Sequence, residues 1–158
     1  MIRVRAATPA DIRVILGFIR DLAAFEREPD AVEATEATLA EALFGPRPAA
    51  EGVIAEEAGE PMGIALFFHN FSTWTGRRGL YLEDLYVTPA ARGRGVGTAL
   101  LRHLAGIALE RDCARFEWAV LDWNAEAIGF YRTLGAVGLD EWTVQRVSGD
   151  ALRRLAGR

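Results

Sequence analysis

The stretch Arg92-Gly93-Arg94-Gly95-Val96-Gly97 lies between a predicted strand, Leu80 to Val87, and an apolar-periodic segment that begins near Thr98. The start of a helix presents N–H groups without intrahelical partners and the positive end of the helix dipole, which together favour phosphate. Glycines let the phosphate oxygens approach the backbone, and the arginines add positive charge. The stretch therefore predicts a phosphate-binding loop. An ordinary glycine-rich turn with solvated arginines is the alternative.

The spacing of these residues separates several kinds of phosphate loop. A Walker A loop ends in Gly-Lys-Ser or Gly-Lys-Thr, which this stretch lacks. In a dinucleotide-binding fingerprint counted from Gly93, the third glycine would fall at Thr98. The pattern that fits in full is Arg/Gln-x-x-Gly-x-Gly/Ala, with Arg92, Gly95 and Gly97.

Two further blocks accompany the loop. Tyr81-Leu82-Glu83-Asp84 precedes it, and Asp122-Trp123-Asn124 follows it, before Phe130-Tyr131 and Leu134-Gly135-Ala136. In this order the blocks resemble the GNAT superfamily of N-acetyltransferases, and most closely its spermidine/spermine (diamine/thialysine) branch. The resemblance implies one domain over residues 1–158 with a mixed α/β fold. Its central sheet is mostly antiparallel and twisted, with a splayed central strand, and helices flank it.

Composition limits the kinds of binding partner and the cellular compartment that we expect for this protein. The net charge of −4 argues against broad binding to nucleic acid or to anionic membranes. A single cysteine, Cys113, excludes an internal disulfide, and with only two histidines we expect no metal site. No apolar run approaches the roughly 18 to 20 residues of a membrane span. We therefore expect a soluble, cytoplasmic protein.

Hydrophobic periodicity and turn residues predict the order of the elements. Before the loop we expect a strand, two helices, a hairpin and a long connection: Ile2–Ala6, Thr8 to about Phe25, a helix from Thr35 to Gly45, strands Val53–Glu57 and Met62–His69, and a loop from Asn70 to Gly79. After the loop helix we expect a strand, a short helix, closing strands and a tail helix: Phe116–Leu121, Ala125–Leu134, Val137–Val147 and Asp150–Leu155.

The resemblance implies that acetyl-CoA is the co-substrate. Backbone N–H groups of the splayed strand, at Leu85 and Val87, would meet the thioester carbonyl, and the glycine loop would bind the pyrophosphate. The residues expected to contact acetyl-CoA are Leu85, Tyr86, Val87, Arg92, Gly93, Arg94, Gly95, Val96, Gly97, Thr98, Asn124, Ala127 and Tyr131. An asparagine before a helix is equally an N-cap, and Asn124 can serve both purposes.

Two side chains are candidates for proton transfer. Tyr131 is the candidate general acid, because a phenol with a pKa of about 10 can give a proton to a departing thiolate. Its alternative role is that of a core aromatic beside Phe130. Glu83 is expected to bind the cationic amine or to accept its proton through water. Regular strand alternation places the neighbouring Asp84 on the opposite face.

The substrate side is expected to be acidic. By resemblance, the residues around the amine are Phe25, Glu26, Glu83, Asp84, Asp140 and Glu141, although Glu26, Asp140 and Glu141 could each be ordinary surface charge. Phe25 stands where the family has tyrosine, so lysine-like amino acids or short diamines are favoured over spermine.

The sequence therefore predicts acetyl transfer from acetyl-CoA to a primary amine of a small cationic molecule by direct attack. The candidate acceptors are a diamine, a polyamine or a lysine-like amino acid such as thialysine. The alternatives are a protein or peptide N-acetyltransferase and a non-catalytic CoA-binding sensor. The acidic residues and the long loop from Asn70 to Gly79 favour a closed, small-molecule site. A homodimer is expected by resemblance.

Overall fold

The computed structural model describes all 158 residues, which divide into two units, Met1–Leu121 and Asp122–Arg158. The first unit contains a five-stranded sheet with three α-helices, and the second contains two α-helices and irregular chain. The mixed α/β class and the mostly antiparallel sheet are as predicted.

Strands in the first unit follow the order β1-β2-β3-β4-β5, and only the β4–β5 pair is parallel. The helix α3 connects these two strands, as a parallel pair requires. Short 3₁₀ turns occur at Pro9–Asp11, Pro29–Ala31 and Pro89–Ala91. The elements are β1 (Arg3–Ala6), α1 (Ile12–Phe25), α2 (Glu36–Phe44), β2 (Glu51–Glu57), β3 (Glu60–Ser72), β4 (Arg77–Val87), α3 (Val96–Glu110) and β5 (Phe116–Trp118).

Helices cover both faces of the sheet. On one face, Ile12 and Ile15 of α1 pack against Ile54 and Ile64 of the strands, and we call this the α1 face. On the other face lies α3, where a Cβ atom built on Gly63 would be 3.4 Å from Leu100 Cδ1. Ile15, Ile54, Ile64 and Leu100 are fully buried, so each face holds a dry apolar layer.

The β3–β4 hairpin is longer than predicted. Asn70 pairs with Gly79, Phe71 with Arg78 and Ser72 with Arg77, so the expected loop from Asn70 to Gly79 shrinks to residues 73–76. That loop prediction was wrong because ladder hydrogen bonds come from the backbone and do not need the apolar side chains on which it relied. The long loop consequently gives no support to a closed site.

Other boundaries differ by a few residues. Thr35 caps α2 by accepting from Thr38 N at 3.1 Å, and Gly45 ends that helix, as predicted. By contrast, α3 begins at Val96, two residues before the expected start, and β5 ends at Trp118 instead of Leu121.

The second unit contains α4 (Ala125–Thr133) and α5 (Gly149–Leu155). Gly135 follows α4 with φ 89°, the left-handed C-terminal geometry predicted for it. No strand forms within Val137–Val147, so the prediction of closing strands was wrong. Alternating apolar residues form a strand only when a neighbouring strand pairs with their backbone, and this segment has none. No helix of the protein combines the length and apolarity needed to cross a membrane.

A polar network closes the edge of the sheet beside β1. The Arg5 guanidinium donates to both oxygens of Asp11, at 2.8 and 3.0 Å, and its Nε donates to Glu56 at 2.9 Å. Asp11 also accepts from the Thr8 backbone N–H at 2.7 Å. These bonds hold the pKa of the nearly buried Asp11 at about 2, below its usual 3.8. The network therefore fixes the start of α1 on β1 and β2.

Replacing Asp11 with asparagine should destabilise the protein by about 2 kcal/mol at pH 7, which is the free energy equivalent to the depressed pKa. A carboxylate with a lowered folded-state pKa stabilises above pH 3.8 and loses that contribution as the pH falls through about 2. Urea unfolding of both proteins at pH 7 and towards pH 2 would test this. A difference in stability that does not shrink over that range would contradict it.

Candidate active site

The phosphate-loop candidate is open and lined by backbone. Gly93 and Gly95 adopt φ of 76° and 83°, a region that side-chain-bearing residues avoid, and Gly95 is the N-cap of the 15-residue helix α3. No atom lies within 4 Å of a Cβ built on either glycine. The N–H groups of Gly93, Arg94 and Gly95 donate to no backbone carbonyl. This arrangement leaves both space and donors for an anion such as a pyrophosphate.

Both arginines of the loop are held by protein groups. Arg92 Nε donates to the Val87 carbonyl at 3.2 Å, and its guanidinium lies 5.2 Å from the Phe25 ring and 6.0 Å from the Tyr86 ring. Arg94 binds the Glu57 carboxylate, which also accepts from the amino group of Met1. Only Nε of Arg92 is hydrogen-bonded to protein, and the Arg94–Glu57 pair is partly exposed, so both cations lie beside the backbone N–H groups of the loop.

The central strand β4 is irregular where the site is expected. Leu66 pairs with Asp84 and Phe67 with Leu82, so Glu83 is an extra, unpaired residue in β4. The parallel partner β5 pairs only with Leu80–Leu82, and β4 continues to Val87 without it. The predicted splay of the central strand is therefore present, and it leaves one edge of residues 83–87 outside the sheet ladder.

Three carboxylates gather at this irregularity: Glu26 at the end of α1, and Glu83 and Asp84 in β4. We call these residues the acidic cluster. Burial, followed by the charges of Glu83 and Glu26, raises the pKa of Asp84 to about 6 from its usual 3.8. Burial also raises the pKa of Glu26. A carboxylate that titrates near neutrality can attract a cation and can also accept a proton.

The register of β4 removes the basis for the expected placement of Glu83 and Asp84 on opposite faces. Opposite faces follow only from regular alternation, and the bulge at Glu83 interrupts it. Asp84 pairs with Leu66, which packs under α1, so the register after the bulge sets the face of Asp84. Sequence reasoning placed Asp84 among the residues around the amine but missed its raised pKa, because the burial that causes it has no signature in the string Tyr81-Leu82-Glu83-Asp84.

The remaining candidate residues lie in the second unit. Asn124 Oδ1 accepts from Ala127 N at 3.2 Å, which establishes Asn124 as the N-cap of α4. Tyr131 lies on the same helix with its ring 5.7 Å from that of Phe130. Asp140 and Glu141 are exposed in the irregular segment that follows.

Comparison with known proteins agrees with this geometry. Residues 17–136 match the Acetyltransferase (GNAT) family. The chain is 41% identical to a thialysine N-epsilon-acetyltransferase of Sus scrofa, over 98% of this chain and 97% of the relative. It is 30% identical to an L-ornithine N5-acetyltransferase of Arabidopsis thaliana, over 97% of this chain and 87% of that protein.

Among solved structures, an integron cassette protein from the mobile metagenome of V. cholerae superimposes with a TM-score of 0.83. That protein is 27% identical, and the match covers 99% of this chain and 98% of the other. The family match covers most of the sequence, and the relatives are similar along nearly their whole length. Both findings agree with the open glycine loop and the splayed strand. The chain belongs to the GNAT family of acetyltransferases.

Proposed function

We propose that this enzyme transfers the acetyl group of acetyl-CoA to a primary amine of a small cationic molecule, and that the acceptor is a lysine-like amino acid. The observation that carries the proposal is the acidic cluster at the splayed part of β4, with the pKa of Asp84 at about 6. The relatives named for thialysine and ornithine support this acceptor class, since both molecules are amino acids with a side-chain amine.

Acetyl-CoA supplies the acetyl thioester, and the loop at the start of α3 fits its pyrophosphate. The N–H groups of Gly93, Arg94 and Gly95, with those of the first turn at Val96, Gly97 and Thr98, would bind the phosphate oxygens. Backbone N–H groups at Leu85 and Val87, beside Tyr86, would meet the thioester carbonyl. Asn124 and Ala127 of α4 are proposed as further contacts to CoA.

Proton transfer is divided between two groups of residues. A primary amine enters as a cation and attacks only after losing a proton, which Glu83 would take directly or through water, with Asp84 as a second acceptor. Tyr131 would give a proton to the departing sulfur. Phe25, Glu26, Asp140 and Glu141 are proposed to surround the amine, and the attraction of the carboxylates for a cation would favour charged acceptors.

We also propose a cytoplasmic homodimer. Apolar side chains of the irregular segment are mostly exposed in the single chain: Val137 83%, Leu139 57%, Trp142 70% and Val144 82%. Alternating apolar residues that lack a partner within one chain are suited to pairing with a second copy. The single cysteine, Cys113, is consistent with a reducing compartment.

Replacing Gly95 with alanine should weaken CoA binding about tenfold or more, because the new Cβ enters the space that phosphate needs and strains a residue at φ 83°. Gly76→Ala is the matched control, since Gly76 also has positive φ and an open Cβ position but lies in the β3–β4 loop. Calorimetric titration with CoA gives both affinities. Equal weakening in the two variants would mean that the effect is backbone strain alone.

Replacing Tyr131 with phenylalanine should lower kcat by about 10² to 10⁴-fold while leaving the affinity for CoA nearly unchanged, because only the hydroxyl proton is lost. Steady-state kinetics that follow CoA release, together with a CoA titration, would measure the two effects. A variant with the wild-type rate would assign Tyr131 to packing against Phe130 instead.

The pH dependence should report the acidic cluster. The kcat/KM for the amine should fall as the pH drops below about 6, because protonated Asp84 neither attracts the cation nor accepts a proton. Replacing Glu83 with glutamine removes a charge that raises the Asp84 pKa, so this limb should move to lower pH as the rate decreases. If kcat/KM falls at the same pH in both proteins, the titration of Asp84 does not cause the fall.

A further inference from the structure

The α1 face continues past the acidic cluster towards the β3–β4 hairpin. Ile64, Leu66, Phe68 and Asn70 alternate along β3, and the first two pack under α1. Phe68 pairs with Tyr81, and Tyr81 pairs with Glu117 of β5, so these side chains share the α1 face beyond the helix. The rings of Phe68 and Tyr81 lie 5.1 Å apart, and both residues are partly exposed.

Opposite charges meet at the end of this surface. Arg115 Nε lies 2.7 Å from Glu117 Oε1, and Arg115 Nη2 donates to the Phe71 carbonyl at 3.4 Å. The same Glu117 oxygen accepts from Asn70 Nδ2 at 3.3 Å. These contacts leave Arg115 Nη1 and Glu117 Oε2 unengaged, and the two side chains remain 40% and 30% exposed. One cationic and one anionic group therefore stand side by side, each with an atom to offer a ligand.

The backbone makes room for this pair. A Cβ atom on Gly79 would lie 2.3 Å from Asn70 Oδ1 and 3.1 Å from Arg115 Cγ, so only glycine permits both side chains to lie there. Asn70 Oδ1 is buried without a hydrogen-bond partner, which costs free energy. Such uncompensated groups in native structures call for an explanation, and a functional site is a common one.

We propose that Arg115 and Glu117, positioned by Asn70, bind the α-carboxylate and α-ammonium of an amino-acid substrate whose side-chain amine lies at the acidic cluster. This inference rests on the proposed function and specifies its substrate class. Tyr81 is three residues from Asp84, about 10 Å along an extended strand. An extended lysine-like molecule covers most of that distance, and the hydrogen bonds at its two ends cover the rest.

The pairing of charges separates amino acids from polyamines. The far end of a polyamine carries only positive charge, so Arg115 repels it, whereas a zwitterionic end places its carboxylate on Arg115 and its ammonium on Glu117. The ring faces of Phe68 and Tyr81 line the path between the two ends, where an apolar or thioether chain can pack. The surface is thus complementary to an amino acid along its length.

The test compares thialysine with bis(2-aminoethyl) sulfide, which is the same molecule without the carboxylate. The wild-type enzyme should prefer thialysine in kcat/KM. Replacing Arg115 with glutamine should raise the KM for thialysine about 10- to 100-fold with little change in kcat, and should not raise the KM for the diamine, whose far ammonium Arg115 repels. Arg115→Lys should restore part of the preference. Glu117→Gln should raise the KM for thialysine but should have little effect on the KM for Nα-acetylthialysine, which has no α-ammonium.

Arg78→Gln is the matched control, because Arg78 precedes Gly79 in β4 but lies on the opposite face, where its charge acts on His69. It should keep the wild-type preference. If wild type acetylates both amines equally well, or if Arg115→Gln slows both equally, the inference is overturned while the proposed function stands. If wild type acetylates neither amine, the proposed function fails and the inference with it. The diamine rate also shows that each variant is folded.

Discussion

The extra residue in β4 is the constraint on which the site depends. Because Glu83 has no partner in β3, the strand bends, loses its regular alternation and carries two adjacent carboxylates into one region. The partner β5 follows β4 only as far as Leu82, so the strand beyond is paired on one side. The bulge therefore sets the register of Asp84, and the end of β5 leaves the backbone beyond Leu82 open on one side.

The proposed binding of an anion at the start of α3 would rely chiefly on backbone donors. Arg92 contacts Val87 and Phe25, and Arg94 contacts Glu57, so both side chains also hold the loop in place. The positive φ values of Gly93 and Gly95 go with open space at both Cβ positions, and the N–H groups of residues 93–95 donate to no backbone carbonyl. Because these donors belong to the backbone, they persist whichever side chains occupy the loop.

Features that depend on local rules could be predicted from the sequence. The cap at Thr35, the helix end at Gly45, the glycine loop and the element order as far as α4 all follow from residues close together in the chain. Features that depend on distant partners could not. The bulge at Glu83 depends on how β4 pairs with β3, and the short hairpin loop depends on the pairing of Asn70 with Gly79. The segment Val137–Val147 has apolar alternation but no neighbouring strand. The orientation of Arg92 likewise depends on Phe25, far away in sequence.

The residues proposed to contact the two substrates are distributed differently along the sequence. The proposed contacts to acetyl-CoA in the first unit come from one continuous stretch, Leu85 to Thr98, whereas the surface proposed for the amine draws single residues from α1, β3, β4 and β5. A substitution in that scattered set changes one side chain and leaves the continuous stretch intact. Point mutations can therefore change the preferred amine while the protein keeps the same acyl donor. This separation lets the fold evolve towards different small amines.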